Sequence, residues 1–214
     1  MPAIVSIVGN SDSGKTTLVE KLIPELKSRG CRIATIKHTP HGMTLGDQDT
    51  DSWRHLQAGS EATVTSSPTQ MVLIKPIAPD VTLNEIASIF GENYDIILAE
   101  GFKRDNAPKI EIHRSESAPP LKDIKELIAI VTDEPRETEI RQFSLDDIKG
   151  LADLLEERFI KPGGNRISLY INDTPVPLSP FPKEVITNIL TAIASSLKGV
   201  AKVKSLEIFL SNKD

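Results

Sequence analysis

A run of glycine and hydroxyl residues, followed by lysine and threonine, lies close to the N-terminus. The stretch GNSDSGKTTL at positions 9–18 contains the spacing G-x-x-x-x-G-K-T, supplied by Gly9, Gly14, Lys15 and Thr16. Glycines let backbone N–H groups approach phosphate oxygens without an intervening Cβ, and a following helix adds unpaired N–H groups. Lysine here can reach the β- and γ-phosphates, and the threonine hydroxyl can bind Mg²⁺. The pattern, with an apolar strand before it and a helix after it, predicts a phosphate-binding P-loop rather than an ordinary turn.

A carboxylate near the metal ion is the second requirement of this chemistry, and YDIILAEGFK at 94–103 offers Asp95 and Glu100. The two acids lie at opposite ends of one predicted strand, about 16 Å apart at ~3.3 Å per residue. Only the carboxyl ends of parallel strands face a nucleotide. We therefore predict that Glu100 is catalytic and binds Mg²⁺, and that the Gly101 N–H approaches the γ-phosphate. The alternative is that Glu100 is a solvated loop acid.

A long polar segment separates the second predicted strand from a short helix, and loops of this length are usually functional or disordered. Zinc is disfavoured because His38 and His41 have no cysteine nearby and no obvious third ligand. Three interpretations stay open: a nucleotide-sensing switch whose acids approach Mg²⁺ through water, a basic site for a second anionic ligand, and a solvated loop. The titratable residues of the segment are Lys37, His38, His41, Asp47, Asp49, Asp51, Arg54 and His55.

A second basic group follows the strand that ends in Glu100. Because both basic stretches follow strands whose carboxyl ends should face the nucleotide, they can converge on a second phosphate-bearing ligand through charge-assisted hydrogen bonds. The alternative is that they steer the nucleotide or pair with surface acids. This group consists of Lys103, Arg104, Lys109 and Arg114.

Short apolar runs and amphipathic stretches alternate along the chain, which favours a mostly parallel, doubly wound α/β sheet with the nucleotide at the carboxyl ends of its strands. KIEIH at 109–113 alternates apolar and polar residues, as a half-exposed or edge strand would. Pro24 should kink or break the first helix, and Thr82 with Glu85 forms a capping box. We expect strands at 3–8, 32–37, 62–65, 71–74, 95–99, 109–113 and 127–131, and helices at 16–29, 52–59, 82–91 and 144–159.

The sequence KPGGN at 161–165 predicts a boundary between a P-loop domain at 1–161 and a small extension at 162–214. The extension reads as ββαβ: a hairpin in RISLYINDTPVPL, a helix in FPKEVITNILTAIASSL and a final strand in VKSLEIFL. No function follows from its pattern.

Composition narrows the class of protein. The 214 residues carry a net charge of −5, which argues against sequence-independent binding to nucleic acid. Cys31 is the single cysteine and excludes an intrachain disulfide, as in proteins of reducing compartments. We see no signal peptide and no apolar run near the roughly 20 residues that span a bilayer, so we expect a cytoplasmic protein without membrane contact.

Four segments in this order, GNSDSGKTTL, TIKHTPHG, DSWRHLQAG and AEGFKRDNAPKIEIHR, resemble the molybdopterin-guanine dinucleotide biosynthesis protein B (MobB) family over about residues 1–160. The resemblance implies a dimeric GTP-binding protein with weak GTPase activity, which assists the enzyme that joins GMP to molybdopterin. Thr50 stands where the family usually has lysine. Carried over, the residues that would hold the phosphates and Mg²⁺ are Gly9, Asn10, Ser11, Asp12, Ser13, Gly14, Lys15, Thr16, Thr17, Asp51, Glu100 and Gly101.

Guanine selection is weakly encoded, because the N-K-x-D motif of many GTPases is absent. Asp133 follows a predicted core strand and could accept hydrogen bonds from guanine, but a simple turn acid fits equally well. The resemblance alone therefore implies that the ligand is GTP and that the protein is a homodimer. It also implies two partners, the guanylyltransferase of molybdenum cofactor synthesis and molybdopterin. A small-molecule kinase and a nucleotide-binding adapter without useful catalysis are the alternative functions.

Overall fold

A six-stranded parallel sheet forms the centre of the molecule in the computed structural model. The structure describes residues 1–39, 50–116, 119–160, 169–171, 174–176 and 178–199, together with residues 167, 203, 206 and 208. The spatial order is β2-β5-β1-β6-β7-β8, and every pairing is parallel. These strands are β1 (Ala3–Val8), β2 (Ile33–Lys37), β5 (Ile96–Glu100), β6 (Lys109–His113), β7 (Leu127–Thr132) and β8 (Gln142–Phe143).

The remaining elements lie outside this sheet. An antiparallel hairpin comprises β3 (Thr63–Ser66) and β4 (Met71–Ile74), so these two predicted strands exist but do not join the parallel sheet. The helices of the N-terminal part are α1 (Lys15–Ser28), α2 (Asp51–Gln57), α3 (Leu83–Ser88) and α4 (Ile148–Leu155), the last continuing into a π-helical turn at Glu156–Ile160. Within the described residues, no helix is long and apolar enough to cross a membrane.

The pattern of buried residues explains why these segments form strands and helices. Strand residues alternate between the two faces of the sheet, and one face packs in a single core cluster with α1 and α4. Helix α1 contributes Leu18, Leu22 and Leu26 at four-residue spacing, all at most 2% exposed. It runs through Pro24 without interruption, so the alternative of a break there is wrong. Packing on both sides of Pro24 outweighs the hydrogen bond that proline cannot donate.

The prediction of a half-exposed or edge strand at 109–113 is wrong. Strand β6 lies between β1 and β7, and all five of its residues are buried. Its two charged residues face away from the core cluster and find partners. The Lys109 ammonium donates to the carbonyls of Asp105 and Ala107. Glu111 pairs with Arg136 at 2.9 Å. Buried charges in native proteins are paired or hydrogen-bonded in this way.

Helix ends follow the predicted caps with one difference. Thr82 and Glu85 form the expected capping box. At the start of α4 the cap is Asp147, whose carboxylate accepts from the Gly150 N–H at 3.0 Å, whereas Ser144 contributes its backbone carbonyl to the Asp147 N–H. The N-cap therefore lies three residues later than the sequence predicts.

The chain divides into two compact units between Lys161 and Pro162. The C-terminal unit contains an antiparallel hairpin, β9 (Leu169–Ile171) with β10 (Thr174–Val176), and a long helix, α5 (Pro180–Ser196). The predicted final strand at 203–210 lies almost entirely outside the described residues, as do the predicted functional residues His41, Asp47 and Asp49.

Candidate nucleotide-binding site

The P-loop connects β1 to α1 in a conformation that requires glycine at its end. Gly14 precedes α1 with φ 98°, in the left-handed region that glycine adopts without strain. At Gly9 a Cβ would lie 2.5 Å from both the Ile112 carbonyl oxygen and the Ser13 hydroxyl oxygen. Both glycines of the motif are therefore needed sterically. The loop between them leaves the first N–H groups of α1 directed away from the helix.

Three side chains meet where α1 begins and β5 ends. The Thr16 hydroxyl donates to the Glu100 carboxylate, whose oxygens lie 2.9 and 3.0 Å away. Lys37, the last residue of β2, places its ammonium 3.4 Å from the Thr16 hydroxyl and 3.6 Å from Glu100. Lys15 reaches back over the loop and donates to the Asn10 carbonyl. This contact holds the Lys15 ammonium against the loop.

Parallel pairing brings these groups together. Ile7 of β1 pairs with Glu100, which in turn pairs with Lys37 of β2, so three strands end at the same edge of the sheet. Asp95 lies at the other end of β5, where its carboxylate accepts from the Arg32 backbone N–H at 2.8 Å. The structure thus places Glu100 beside the P-loop and Asp95 away from it, as the strand geometry predicts.

Positive charge is concentrated at this edge. Desolvation by burial lowers the pKa of Lys15, and the ammonium groups of Lys103 and Lys37 lower it further, against the opposite effect of Glu100. Three lysines act against two carboxylates, those of Glu100 and Asp12, and the remaining positive charge favours a polyanion such as a triphosphate.

The oxygen atoms of Thr16 and Glu100 also fit a hard divalent cation. Magnesium prefers oxygen ligands in an octahedron with bonds of about 2.1 Å, so adjacent ligand oxygens lie about 3.0 Å apart. The observed separations of 2.9 and 3.0 Å match this spacing. Across the described residues, no group of three or more His, Cys, Asp and Glu residues could hold a metal ion, so a cation here would need phosphate oxygens or water to complete its coordination.

On the opposite side of Gly14, a small recess opens towards β6 and β8. It is lined by residues that include Gly14, Thr17, Lys21, Arg114 and Leu145. The guanidinium of Arg114 lies against the loop, with its Nε and Nη2 atoms 3.4 Å from the position of a Cβ on Gly14. Sequence reasoning included Arg114 only in a general basic group and missed Lys21 and Leu145. These residues come together because of the order of strands β6, β7 and β8 in the sheet, and the sequence does not show that order.

Two other predicted roles do not agree with the structure. The Gly101 N–H donates to the Ile7 carbonyl at 3.0 Å, so it extends the sheet and does not point towards a ligand. Lys109, a member of the predicted second-ligand group, is fully buried at the start of β6. Its ammonium is held by backbone carbonyls, and it therefore cannot bind a second phosphate.

The remaining candidates have local partners. Asp51 opens α2 and lies 3.5 Å from Arg54, with both side chains largely exposed. Asp133 accepts from the Ser115 backbone N–H at 2.8 Å, a bond that lowers the pKa of this carboxyl. This arrangement favours a turn acid over a guanine-binding residue at Asp133. His38 packs its ring against Phe102, with centroids 5.0 Å apart.

Comparison with known proteins places this site in a family. The family model of MobB, molybdopterin guanine dinucleotide synthesis protein B, matches residues 4–133. The molybdopterin-guanine dinucleotide biosynthesis adapter protein of Haemophilus influenzae is 37% identical over 155 residues, 72% of this chain and 87% of that protein. A crystal structure of molybdopterin-guanine biosynthesis protein B superposes with a TM-score of 0.58 at 27% identity, covering 72% of this chain and 97% of the other.

The share of this chain that is matched differs among these relatives. The two proteins above are covered to 87% and 97% by 72% of this chain. A putative molybdopterin-guanine dinucleotide biosynthesis adapter protein of Methanocaldococcus jannaschii instead matches over 241 residues, covering 96% of both chains at 24% identity. Since the family model spans more than half of the chain and includes the P-loop, Glu100 and β6, the chain belongs to the MobB family.

Proposed function

We propose that this protein is a Mg·GTP-binding adapter in molybdopterin guanine dinucleotide biosynthesis and that it hydrolyses GTP slowly. The observation that carries the proposal is the contact of Thr16 with Glu100 beside Lys15, at the carboxyl edge of a parallel sheet. The printed description of the H. influenzae relative supports the pathway. GTP itself, rather than ATP, comes from the family resemblance.

Each residue of the site has a distinct task in this proposal. The first N–H groups of α1 and the Lys15 ammonium bind the β- and γ-phosphates. Thr16 and Glu100 hold Mg²⁺, which when bound neutralises charge that develops on the phosphate oxygens. Lys37 lies 3.6 Å from Glu100, so it holds that carboxylate in place. That the turnover is slow is what the family resemblance implies.

The arrangement also orients the nucleotide. The end of the triphosphate that carries Mg²⁺ would lie on the β5 side of the loop, beside Thr16, Glu100 and Lys37. A triphosphate extended across the loop then delivers its nucleoside to the opposite side, where Arg114 and Leu145 line the recess beside Gly14. Arginine stacks well on flat rings and pairs with phosphate, so Arg114 suits the nucleoside end.

Partners follow from the pathway. An adapter in this pathway works with other proteins of it, and we infer that the guanylyltransferase is one of them, with this chain acting as a homodimer in the cytoplasm. Molybdopterin as a second ligand is also proposed, but without Lys109. Two lysines, Lys37 at the end of β2 and Lys103 after the end of β5, are the cations that would bind the phosphate of molybdopterin.

The test is an assay for γ-phosphate release from GTP by the full chain, alone and with the guanylyltransferase. We expect slow release that requires Mg²⁺ and is not accompanied by phosphorylation of a metabolite. Tight GTP binding without release, in either condition, would support a pure adapter and contradict the GTPase part. Absence of GTP binding would contradict the whole proposal.

A further inference from the structure

A lysine and an aspartate form an ion pair beside the recess at Gly14. Lys21 of α1 lines the recess, and its ammonium donates to the Asp146 carboxylate at 2.8 Å. Asp146 follows Leu145, another residue of the recess, in the connection from β8 to α4. The two side chains are 45% and 89% exposed, and an ion pair this exposed adds little to stability. Both groups are therefore accessible to a ligand, and the fold does not depend on their contact.

The pair lies one helical turn beyond the last phosphate-binding position of α1. Thr17 is the third residue of the helix, so its N–H has no partner within the helix, and Leu18 begins the regular bonding by donating to the Gly14 carbonyl. Lys21 lies four residues after Thr17 on the same face, about 6 Å further along the axis. A ribose separates the α-phosphate of a nucleotide from its base by a comparable distance. A nucleotide whose phosphates follow the loop to Thr17 would therefore bring its base next to Lys21.

We propose that Lys21 and Asp146 bind the edge of the base and select guanine over adenine. The proposal rests on the GTP-binding function proposed above and supplies the selection that the absent N-K-x-D motif leaves open. Guanine presents the acceptor O6 beside the donors N1–H and N2–H. The Lys21 ammonium would donate to O6, and the two oxygens of the Asp146 carboxylate would accept from N1–H and N2–H. Adenine presents an amino donor in place of O6 and a lone pair in place of N1–H, so it would meet both groups with the wrong polarity.

The spacing of the pair and the room around it both fit a guanine. O6 and N1 lie about 2.3 Å apart by the bond lengths of an amide, and the Lys21 nitrogen and the Asp146 oxygen lie 2.8 Å apart, so parallel hydrogen bonds can form. The recess measures about 10 Å³, enough for one water molecule, so the base would lie outside it. Lys21 and Asp146 also border an open groove of about 660 Å³, which offers the base the room that the recess lacks.

Existing contacts distinguish Asp146 from Asp133, the other acid considered for guanine. Hydrogen bonding to Lys21 lowers the pKa of the Asp146 carboxyl, and the Arg114 guanidinium lowers it further, so this group is an ionised acceptor at neutral pH. Both oxygens of Asp133 accept from Ser115, at 2.8 and 3.3 Å. A guanine at Asp133 would have to displace these bonds. At Asp146 the Lys21 ammonium, which has three donors, only has to be shared with O6.

Nucleotide titrations into the full chain and its Asp146→Asn variant test the assignment. The parent should bind GTP more tightly than ATP and than inosine triphosphate, which lacks the N2 amino group, in each case by roughly tenfold or more. Asparagine keeps an acceptor for N1–H but can turn its NH₂ group towards C2. Asp146→Asn should therefore lose roughly tenfold in GTP affinity and prefer xanthosine triphosphate, which carries an oxygen acceptor at C2. Its ATP affinity should change less than about threefold.

The matched control is Asp133→Asn, which changes another exposed acid that follows a strand of the sheet and should keep the preference for GTP. A second variant, Lys21→Met, removes the donor to O6 and should weaken GTP binding more than ATP binding. An unchanged preference for GTP over xanthosine triphosphate in Asp146→Asn, or a change of preference in Asp133→Asn instead, would overturn the proposal while leaving the GTP site in place. Equal affinities of the parent for GTP and ATP would overturn it too. A parent chain that binds no nucleotide would contradict the proposed function, and this proposal with it.

Discussion

Glu100 shows how one residue gains a role from the strand that carries it. Its carboxylate is 14% exposed, contacts the Thr16 hydroxyl and lies beside Lys37. None of these neighbours is within 60 residues of it in the chain. The residue type and its place at a strand end are visible in the sequence, whereas its partners depend on the order of β2, β5 and β1. A carboxylate in this position should matter most when charge develops on the phosphates.

Replacing Glu100 by glutamine should therefore separate turnover from binding. We expect Glu100→Gln to slow GTP hydrolysis at least tenfold, about 1.4 kcal/mol in the barrier, while GTP affinity changes less than threefold, about 0.65 kcal/mol. Single-turnover kinetics and calorimetry measure the two effects. The control is Asp95→Asn at the far end of β5, which should leave turnover unchanged. Full activity of Glu100→Gln would remove this carboxylate from the site.

The lowered pKa of Lys15 predicts opposite pH trends for binding and stability. Phosphates bind the charged ammonium, so GTP affinity should fall as pH rises through the lowered pKa, below the ordinary lysine value of 10.5. In the same window the unfolded chain binds more protons than the free folded protein, so stability should rise with pH from this residue. Calorimetry across the range measures the affinity. Lys15→Arg keeps its charge throughout, and an equally steep decline in that variant would contradict the assignment to Lys15.

At the scale of elements, one arginine joins the two helices that cover the core face. Arg29, directly after α1, is 18% exposed and contacts Glu25, Asp153 and Glu156 at 2.7, 2.6 and 3.0 Å. Hydrogen bonds to these carboxylates raise the pKa of its guanidinium. Helix α4 and its π-helical continuation are thereby fastened to the end of α1, which positions the P-loop at its other end.

Arg29→Ala should destabilise the protein by about 2 kcal/mol, because it removes charged hydrogen bonds from the partly buried carboxylates of Glu25 and Glu156. Urea unfolding measures the change. Arg32→Ala is the matched control: Arg32 is 61% exposed and lies 3.6 Å from Asp95, so its loss should cost at most about 0.5 kcal/mol. Similar losses for the two variants would mean that the helix connection contributes nothing beyond an ordinary surface pair.

The elements also show what sequence patterns can and cannot predict. Continuous apolar runs predicted β1, β5 and β7 because strands buried on both faces have no polar period. The same reasoning failed at β6, where polar residues are buried with partners from distant loops, such as Arg136 for Glu111. It also could not tell that β3 and β4 form a separate hairpin, since strand pairing is a long-range property. The P-loop was predictable because all residues of its motif lie within one short segment of the sequence and need no distant partner.

At the scale of the whole molecule, the described residues of the candidate nucleotide site all lie within residues 2–161. Every residue of the core cluster lies between Val5 and Ile160, and the H. influenzae relative is matched by 72% of this chain. A protein ending at residue 161 should therefore fold and bind GTP within threefold of the full chain, about 0.65 kcal/mol. Thermal unfolding and calorimetry measure both properties. A truncated chain that does not fold would show that the C-terminal unit is part of the core.

The central claim is that the P-loop binds GTP with Mg²⁺. The most direct test is calorimetric titration of GTP, with and without Mg²⁺, into the full chain and into its Lys15→Ala variant. We expect Mg²⁺-dependent binding to the parent and at least tenfold weaker binding to the variant, a difference of about 1.4 kcal/mol. The melting temperature of the free variant should not fall, because a partly desolvated ammonium does not stabilise the fold. Equal affinities of parent and variant, or no binding to either, would contradict a nucleotide site at the P-loop.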